Sequence, residues 1–345
     1  MLRRRRTSLA ALIAMTLAAT PTAFAWGATG HELLTRAALE RLSSDLPAFL
    51  RKTEVRAQIE LVGREPDRWR GAGRVHDAER DPGHFIDLGD DGLVEGLFPL
   101  NGLPATRADF DAQMRAKGIN PPAPGYLPYA MIDGWQQVVK DFAYWRASKV
   151  AAQTAKSKSD RDWFAADLKL RETLLIRDIG VWSHYVADGS QPQHVTDHYA
   201  GWDKYPDPMT YPPPGLGPEV KSVHNYFEGA FVKQNFSLRD VENAMSPERD
   251  CGCPIETRVA DYLTMTHTQV VPLYEMVSAG GLKDATPAAI AFTRARLAAG
   301  ASEIRDELEA AWRASATATV GYPAINVADI ESGRTVLTRD SYGAD

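Results

Sequence analysis

Residues 184–194 read HYVADGSQPQH, and the rest of the sequence is organised around this stretch. It ends a long run of apolar residues at helical spacing, residues 164–186, so His184 and Asp188 are expected on one face of a helix. The glycine and proline that follow predict the end of this helix and a loop that carries His194. Two imidazoles and a carboxylate in this arrangement suit a divalent metal such as zinc. A core histidine with a carboxylate partner is the alternative interpretation of this stretch alone.

Helical periodicity recurs along most of the chain. Apolar stripes predict further helices at residues 47–60, 107–116, 129–149, 223–232, 254–277 and 285–314. Capping residues at 157–160 precede the long helix, and no strands alternate with the helices as they would in a nucleotide-binding sheet. The sequence therefore predicts an all-α fold, with a single-domain helical bundle at residues 26–316 and a polar C-terminal tail of unassigned role at residues 317–345.

Residues 1–25 have the pattern of a secretion signal. An arginine-rich segment precedes a short apolar segment, and Ala23-Phe24-Ala25 forms an A-x-A cleavage site. Cleavage after Ala25 predicts a secreted or periplasmic protein whose first residue is Trp26, with a free α-amine and a carbonyl oxygen as potential ligands. His31 follows five positions later, within reach of the same point. No transmembrane segment is predicted elsewhere in the sequence.

The two cysteines of the chain, Cys251 and Cys253, are separated by one glycine. After export they could form a disulfide across one residue, which is a strained geometry, or face a partner molecule. A small surface loop without a special role is the third alternative. The sequence assigns the pair no function.

Further candidate ligands lie on both sides of the central stretch. His224 and Glu228 form a second pair at helical spacing, His84 lies in the segment GHFIDLGDD, and Asp67 lies in EPDRWR. With His31, five of the eight histidines then belong to one constellation. Each residue alone would more often be structural or solvated, but a random globular chain would seldom place all of them in this order and spacing.

The order of these residues resembles that of a known family. WGATGH at the predicted cleavage site, HFID, HxxxDxxxxxH and HxxxE are similar to the motifs of the zinc-dependent phospholipase C / S1-P1 nuclease superfamily. The resemblance extends from residue 26 to residue 228. Members of this superfamily are all-α and secreted, and they carry three zinc ions per site. The resemblance therefore implies a helical bundle around a trinuclear zinc site.

The resemblance also implies which residues hold each ion. One zinc ion is expected on Asp67, His84, His184 and Asp188. A second is expected on the amine and carbonyl of Trp26, on His31 and on Asp188, so that Asp188 bridges two ions. The third is expected on His194, His224 and Glu228. The loop between Asp67 and His84 is longer than is usual in the family, so three residues are alternatives to Asp67, namely His76, Asp77 and Asp81.

Such a centre suits the hydrolysis of phosphodiesters. Two metal ions about 3.5–4 Å apart can share a water molecule and lower its pKa, which makes hydroxide available as the nucleophile. The remaining ion can hold a non-bridging oxygen and stabilise the leaving oxyanion. Asp67 and Asp188 are the expected catalytic carboxylates, and no serine or cysteine nucleophile is needed.

Three features favour an S1-P1 nuclease that cleaves single-stranded nucleic acid. The spacing of the first tryptophan and histidine of the mature chain resembles that of the nuclease branch. Asp67 and Arg70 match its D-x-x-R motif, in which Arg70 would contact a phosphate. Phe85 and Asp87 match positions that stack on a base and form a hydrogen bond with it, although HFxD also occurs in phospholipases.

Two features favour the alternative, a phospholipase C that acts on phosphatidylcholine-like lipids. Glu228 stands where nucleases usually have aspartate, and a net charge of -6 does not help to capture a polyanion. The aromatic segment at residues 198–216 could stack on bases or hold a choline headgroup by cation–π contact. A second alternative is a non-catalytic secreted protein whose zinc ions only stabilise a helical bundle. The ligand types argue against it, because structural zinc sites are usually closed and rich in cysteine. The sequence indicates no protein partner.

Overall fold

The computed structural model of the protein describes residues 26–343. The predicted secretion signal at residues 1–25 lies outside the described residues. Most of the described chain is helical, and its two short strands, β1 (Thr319–Val320) and β2 (Ile325–Asn326), pair as an antiparallel hairpin. This confirms the all-α class. None of the helices in the described range is both long and apolar enough to cross a membrane.

The first half of the described chain ends with its longest helix. Its α-helices are α1 (Ala28–Glu40), α2 (Thr53–Val62), α3 (Glu65–Arg68), α4 (Arg74–Arg80), α5 (Arg107–Ala116), α6 (Leu127–Thr154) and α7 (Lys158–Asp188). Three 3-10 helices lie between them, at Ala48–Arg51, Asp81–His84 and Leu100–Gly102.

The second half begins with a 3-10 helix at Pro192–His194 and a long loop. Next comes a continuous helical stretch made of α8 (Val223–Asn225), a π-helix (Tyr226–Phe231) and α9 (Val232–Asn235). The remaining α-helices are α10 (Leu238–Ala244), α11 (Ile255–His267), α12 (Val270–Ser278), α13 (Pro287–Ser315) and α14 (Val327–Glu331). A last 3-10 helix spans Arg339–Tyr342.

Local chemistry sets both ends of α7. The Ser157 hydroxyl accepts a hydrogen bond from the Asp160 N–H at 2.9 Å, which caps the first turn as predicted. Gly189 follows the last turn, and its N–H donates to the Tyr185 carbonyl at 3.1 Å. Pro192 lacks an N–H and cannot extend the helix. The candidate ligands of the 184–194 stretch therefore lie at a sharply defined helix end.

The long helices enclose that helix end. α6 and α7 pack along their lengths and are joined by the short connection at residues 155–157, while α13 packs across α1, α6 and α7. Burial of Leu175, Ile179 and Val186 holds α7 in the core. His184 is fully buried on the same helix, so the bundle places the last turn of α7 inside the protein.

The prediction of one helix at residues 254–277 is wrong, because the structure has two. α11 ends at His267 and α12 begins at Val270. Pro272 supplies the reason, since it has no N–H to donate to the Thr268 carbonyl and a continuous helix would need that bond. In α12 the proline lies in the first turn, where its N–H would be unpaired in any case. Apolar periodicity runs across the break and hides it.

The C-terminal tail is folded as far as residue 343, although its sequence shows no periodicity. β1 contributes Val320 and α14 contributes Val327 and Ile330 to a second apolar cluster, where they meet Ala147 of α6 and Phe164 of α7. These contacts are too scattered in sequence to give a periodic signal. The tail therefore packs on the outer ends of α6 and α7, away from the last turn of α7.

Replacing Gly180 with alanine is expected to destabilise the fold without removing a candidate ligand. A Cβ atom at this position would lie 2.6 Å from the Val62 Cβ and 2.9 Å from the Ile59 carbonyl oxygen, so α2 and α7 would have to separate. Such overpacking costs about 1–3 kcal/mol. Denaturant unfolding measures this cost. Gly229→Ala is the matched control, because its Cβ would meet no atom within 4 Å. Equal unfolding midpoints for the two variants would contradict the prediction.

Candidate metal centre

The predicted ligands come from separate parts of the chain and meet at the end of α7. They are His31 from α1, Asp67 from α3, His84 from the following 3-10 helix, His184 and Asp188 from α7, His194 from its own 3-10 helix, and His224 and Glu228 from α8 and the π-helix. Apart from Asp67, each is at most 3% exposed. Their donor atoms form three groups that could hold metal ions: His31, His184 and Asp188; Asp67, His84 and His184; and His194, His224 and Glu228.

Asp188 lies between the first two groups, and each of its carboxylate oxygens faces a different one. Oδ2 lies 3.1 Å from His84 Nδ1 and 3.4 Å from His184 Nε2. Oδ1 lies 3.4 Å from His31 Nε2. The rings of His31 and His184 stack at 3.8 Å between centroids. One carboxylate is therefore in position to serve both groups, which is the role that the family resemblance implies for Asp188.

Asp67 joins the same cluster from the opposite side. Its Oδ1 lies 3.9 Å from His184 Nε2 and 4.0 Å from His84 Nδ1, and its Oδ2 lies 4.0 Å from His31 Nε2. The three predicted alternatives to Asp67 are His76, Asp77 and Asp81. None of them belongs to a metal group within the described residues. The first two of these pair with each other at 3.3 Å. The geometry therefore favours Asp67.

The third group is compact and equally buried. His224 Nε2 lies 2.9 Å from Glu228 Oε2 and 3.1 Å from His194 Nε2. His194 Nε2 lies 3.7 Å from the same glutamate oxygen. His224 and Glu228 are four residues apart in a helical stretch, which brings their side chains to one face, and the extra methylene of glutamate lets the carboxylate reach the imidazole.

Two backbone carbonyls fix the orientation of two histidine rings. His184 Nδ1–H donates to the Gly63 carbonyl at 2.8 Å, and His194 Nδ1–H donates to the His84 carbonyl at 2.6 Å. A carbonyl oxygen can only accept, so Nδ1 carries the proton and the unprotonated Nε2 faces the site. This is the usual outer contact of a metal-binding histidine.

Burial sets the protonation of these groups in the protein alone. It lowers the pKa of all five histidines, to about 3 for His184 and His224, so the imidazoles are in the neutral form that binds metals. It raises the pKa of the carboxyls, to about 6 for Asp67, to about 8 for Glu228 and well above the usual range for Asp188. A bound cation would reverse the carboxyl shifts by stabilising the ionised form.

The spacing of the donor atoms fits metal ions, as does the absence of hydrogen-bond partners for several of them. Donors bound tetrahedrally to one zinc ion at about 2.0–2.1 Å lie about 3.4 Å apart. The distances given above between donor atoms of the ligand residues range from 2.9 to 4.0 Å. Unpaired buried polar atoms cost about 1–3 kcal/mol each. Buried side-chain atoms of the ligand residues that make no hydrogen bond include His31 Nε2, Asp67 Oδ1, Asp188 Oδ1 and Glu228 Oε1.

Trp26 is fully buried beside these groups. Its indole N–H donates to Ser190 Oγ at 2.7 Å. The N–H of Gly27 donates to the Glu228 carbonyl at 3.0 Å, and the Gly27 carbonyl accepts from the His31 N–H at 3.3 Å. The backbone next to Trp26 is thus anchored to two elements that carry ligands. The role of its α-amine stays a prediction, because it depends on cleavage outside the described residues.

Arg70 places a positive charge near all three groups. Its Nε lies 3.7 Å from Asp67 Oδ1. Burial is the largest cause of the lowered pKa of His31, His84 and His224, and the positive charge of Arg70 is a further cause that lowers it. A guanidinium in this position offers donors to an anionic ligand of the metal centre.

Phe85 and Asp87, the predicted base-binding residues, follow His84 in an extended segment. Successive side chains of such a segment alternate, so His84 is buried, whereas Phe85 and Asp87 share the opposite, half-buried face. Burial raises the pKa of Asp87 to about 8, and two acidic neighbours add to the effect. Both residues lie next to a ligand in sequence but outside the three metal groups, and their role stays a prediction.

Two buried glutamines connect the third group to the aromatic segment at residues 198–216. Gln191 Nε2 donates to Glu228 Oε2 at 3.3 Å, and Gln191 Oε1 accepts from the Gln193 N–H at 2.7 Å. Gln193 Nε2 donates to the Tyr274 hydroxyl at 3.2 Å and to the Tyr199 carbonyl at 3.1 Å. No sequence prediction covers these contacts. The sequence feature that could have indicated these contacts is the presence of two glutamines between the predicted ligands Asp188 and His194.

No protein-family model, curated protein or solved structure matches this chain. Inference about its function therefore depends on the site itself. That site combines buried neutral histidines, carboxylates without enough hydrogen-bond donors, and an adjacent arginine.

Proposed function

We propose that this protein is a secreted, zinc-dependent phosphodiester hydrolase of the S1/P1 nuclease type, which cleaves single-stranded nucleic acid. The observation that carries the proposal is the position of Asp188, whose two oxygens face two different ligand groups. A carboxylate shared by adjacent sites suits a pair of catalytic metal ions. A purely structural ion would need only one closed set of ligands.

Zinc suits the chemistry of these donors. The three groups contain five imidazoles and three carboxylates, and imidazole nitrogen with carboxylate oxygen is a common ligand set for catalytic zinc. We assign one ion to each group, with Asp188 shared between the first two and the Trp26 terminus completing the His31 group. When bound, such ions polarise phosphate oxygens and lower the pKa of a water molecule.

The residues of the chain supply orientation and charge. Asp188 fixes the relative positions of the two groups that it faces, and the carbonyl contacts of His184 and His194 keep Nε2 directed inward. Arg70 is placed to bind a non-bridging phosphate oxygen, and Asp67 at 3.7 Å orients its guanidinium. Preorganised charge of this kind supplies the dominant part of phosphoryl-transfer catalysis.

The alternative substrate is a phosphatidylcholine-like lipid, and two observations favour it. Glu228 stands in the third group in place of aspartate. Trp202 already makes contacts of the kind that a choline headgroup would make, because its ring stacks on His198 at 3.9 Å and Lys204 Nζ lies 5.3 Å from its centroid. We rank the nuclease first because Arg70 and Asp67 together match a phosphate-binding pair.

The substrate assay that tests this proposal compares single-stranded DNA, RNA and phosphatidylcholine, each with chelator and with zinc restored. Secreted protein is used, and N-terminal sequencing checks that it begins at Trp26. Chelator-sensitive release of nucleotides supports the nuclease, whereas chelator-sensitive release of phosphocholine supports the phospholipase. Zinc-loaded protein that is inactive on all three would overturn both and leave a structural role for the metal.

Substitution of Arg70 by alanine is expected to lower the nuclease rate while the zinc content stays unchanged. Arg70 is not a metal ligand in the proposed scheme, and removal of one donor that stabilises developing charge costs roughly 10²–10³ in kcat. Arg68→Ala is the matched control, because Arg68 pairs with Glu65 at 2.7 Å and its side chain is 52% exposed. If Arg70→Ala cleaves nucleic acid as fast as Arg68→Ala, the nuclease assignment loses one of its three supports.

A further inference from the structure

A cavity of about 360 Å³ lies between α11 and α13, and the two cysteines form part of its wall. Cys251 and Cys253 are joined in a disulfide, which settles the alternatives left open by the sequence. Small-molecule sites begin at roughly 300 Å³. A disulfide therefore borders a space large enough for a small ligand, in a part of the protein that the proposed hydrolysis does not use.

The chain that leads to this disulfide is fixed to α13. The Ser246 N–H donates to Ser302 Oγ at 3.0 Å, and the Arg249 N–H donates to Asp306 Oδ2 at 3.2 Å. Residues 250–253 then form a short loop in which Cys251 is exposed and Cys253 is half-buried. The disulfide is thus held at a defined position and is open to solvent.

Two arginines that line the cavity, Arg249 and Arg296, make no ion pair with a carboxylate within the described residues; Arg249 is exposed, whereas Arg296 is half-buried. Arg258 pairs with Glu303 at 2.5 Å and with Asp306 at 3.6 Å. Burial lowers the pKa of Arg296, as expected for a cation that is partly removed from water. Its guanidinium is available for a carboxylate of a ligand.

The two sulfur atoms have different surroundings. The Cys253 N–H donates to Cys251 Sγ at 3.3 Å, which favours Cys251 as the leaving thiolate and Cys253 as the sulfur that is attacked. The neighbouring Asp250 carboxylate opposes a negative charge there. Its effect is reduced, because it pairs with Arg313 at 3.1 Å and accepts from the Gly252 N–H at 2.9 Å.

We propose that the Cys251–Cys253 disulfide is a thiol–disulfide exchange site for a small thiol that carries a carboxylate, which binds in the cavity against Arg296. The thiolate of the ligand attacks Cys253 Sγ, the disulfide bond breaks, and Cys251 leaves as a thiolate that takes a proton from water. A second molecule of the thiol attacks the mixed disulfide and releases Cys253. Two ligand thiols then become one disulfide, and the protein gains two electrons and two protons. None of the residues that line the cavity belongs to the three metal groups.

The rate at which glutathione opens the disulfide tests the proposal, with neutral 2-mercaptoethanol as the comparison thiol. The zinc-loaded, processed protein is quenched with an alkylating agent at intervals and analysed by mass spectrometry. Arg296→Ala removes one charge-assisted contact to the ligand carboxylate, so it should slow the glutathione reaction roughly tenfold. The reaction with 2-mercaptoethanol, which has no carboxylate, should be unchanged. Arg294→Ala is the matched control, because Arg294 is exposed on the same helix and does not line the cavity.

The position of the adduct tests the direction of attack. In the wild-type protein the transient mixed disulfide should map to Cys253. Cys251→Ser should retain a stable adduct there when treated with glutathione disulfide, and its zinc content should stay at the wild-type value. Resistance of the disulfide to glutathione would overturn the proposal, as would an equal response of both thiols to Arg296→Ala or an adduct on Cys251.

Discussion

Replacement of Asp188 by asparagine is expected to abolish hydrolysis and to remove two of the three proposed zinc ions. Asp188 Oδ2 lies 3.1 Å from His84 Nδ1, and Oδ1 lies 3.4 Å from His31 Nε2, so one side chain serves two groups. Asparagine keeps the shape but loses the charge, and its amide nitrogen does not bind zinc. Loss of one electrostatic contact costs roughly 10²–10³ in kcat, and loss of the metal pair should cost more. Metal analysis and turnover on single-stranded DNA measure the two effects.

Asp167→Asn is the matched control for this variant. Asp167 is a buried aspartate on α7 that accepts from Ser148 Oγ at 2.6 Å and from Arg171 Nε at 3.3 Å, away from the metal groups. We expect this variant to lose some stability and to keep its zinc and its activity. The third group does not contain Asp188, so Asp188→Asn should still bind one ion. Retention of three ions by Asp188→Asn would show that Asp188 is not a bridging ligand.

The fold could be predicted from the sequence where local chemistry decides it. Residues 107–116 are predicted as a helix, and α5 has these bounds, since Thr106 Oγ1 caps it by accepting from the Asp109 N–H. The break before α12 has a local cause in Pro272, but continuous apolar periodicity conceals it. The packing of the tail on α6 and α7 has no local cause, because single apolar residues far apart in sequence make it.

The candidate site divides in the same way. Helical spacing brings His224 toward Glu228 and His184 toward Asp188 whatever the rest of the chain does. The choice of Asp67 over its alternatives depends on contacts between α3 and α7, which no spacing in the sequence can supply. The contact from Gln193 to Tyr274 joins residues 81 positions apart and could not be predicted. The identity and number of the metal ions stay a prediction, because the donor groups are compatible with metal binding and do not by themselves specify the ion.

Removal of zinc is expected to make the stability of the protein fall more steeply as the pH rises from about 6.5 to about 8. In the metal-free protein, burial raises the pKa of Glu228 to about 8 and that of Asp67 to about 6. A carboxyl with a raised pKa in the folded state stabilises the protein below its unfolded pKa, and this contribution is lost as the pH rises through the folded value. The histidines have lowered pKa values, so their contribution is lost only as the pH falls below about 6.5. Above this pH the carboxyls determine how the free energy of unfolding changes with pH, and the metal-free protein should become less stable as the pH rises.

Zinc binds the ionised carboxylates and neutral imidazoles, so its affinity should increase over the same range. Each proton displaced is worth about 1.4 kcal/mol per pH unit. The difference in melting temperature between the zinc-loaded and metal-free protein should therefore widen by a few degrees from pH 6.5 to pH 8. Asp87 and Asp141, with pKa values raised by burial to about 8 and about 7, lie outside the metal groups, so their effects should largely cancel in this difference. Glu228→Gln should reduce the widening, and Asp141→Asn should preserve it. A difference that stays constant with pH in the wild-type protein would mean that zinc does not bind through these buried carboxyls.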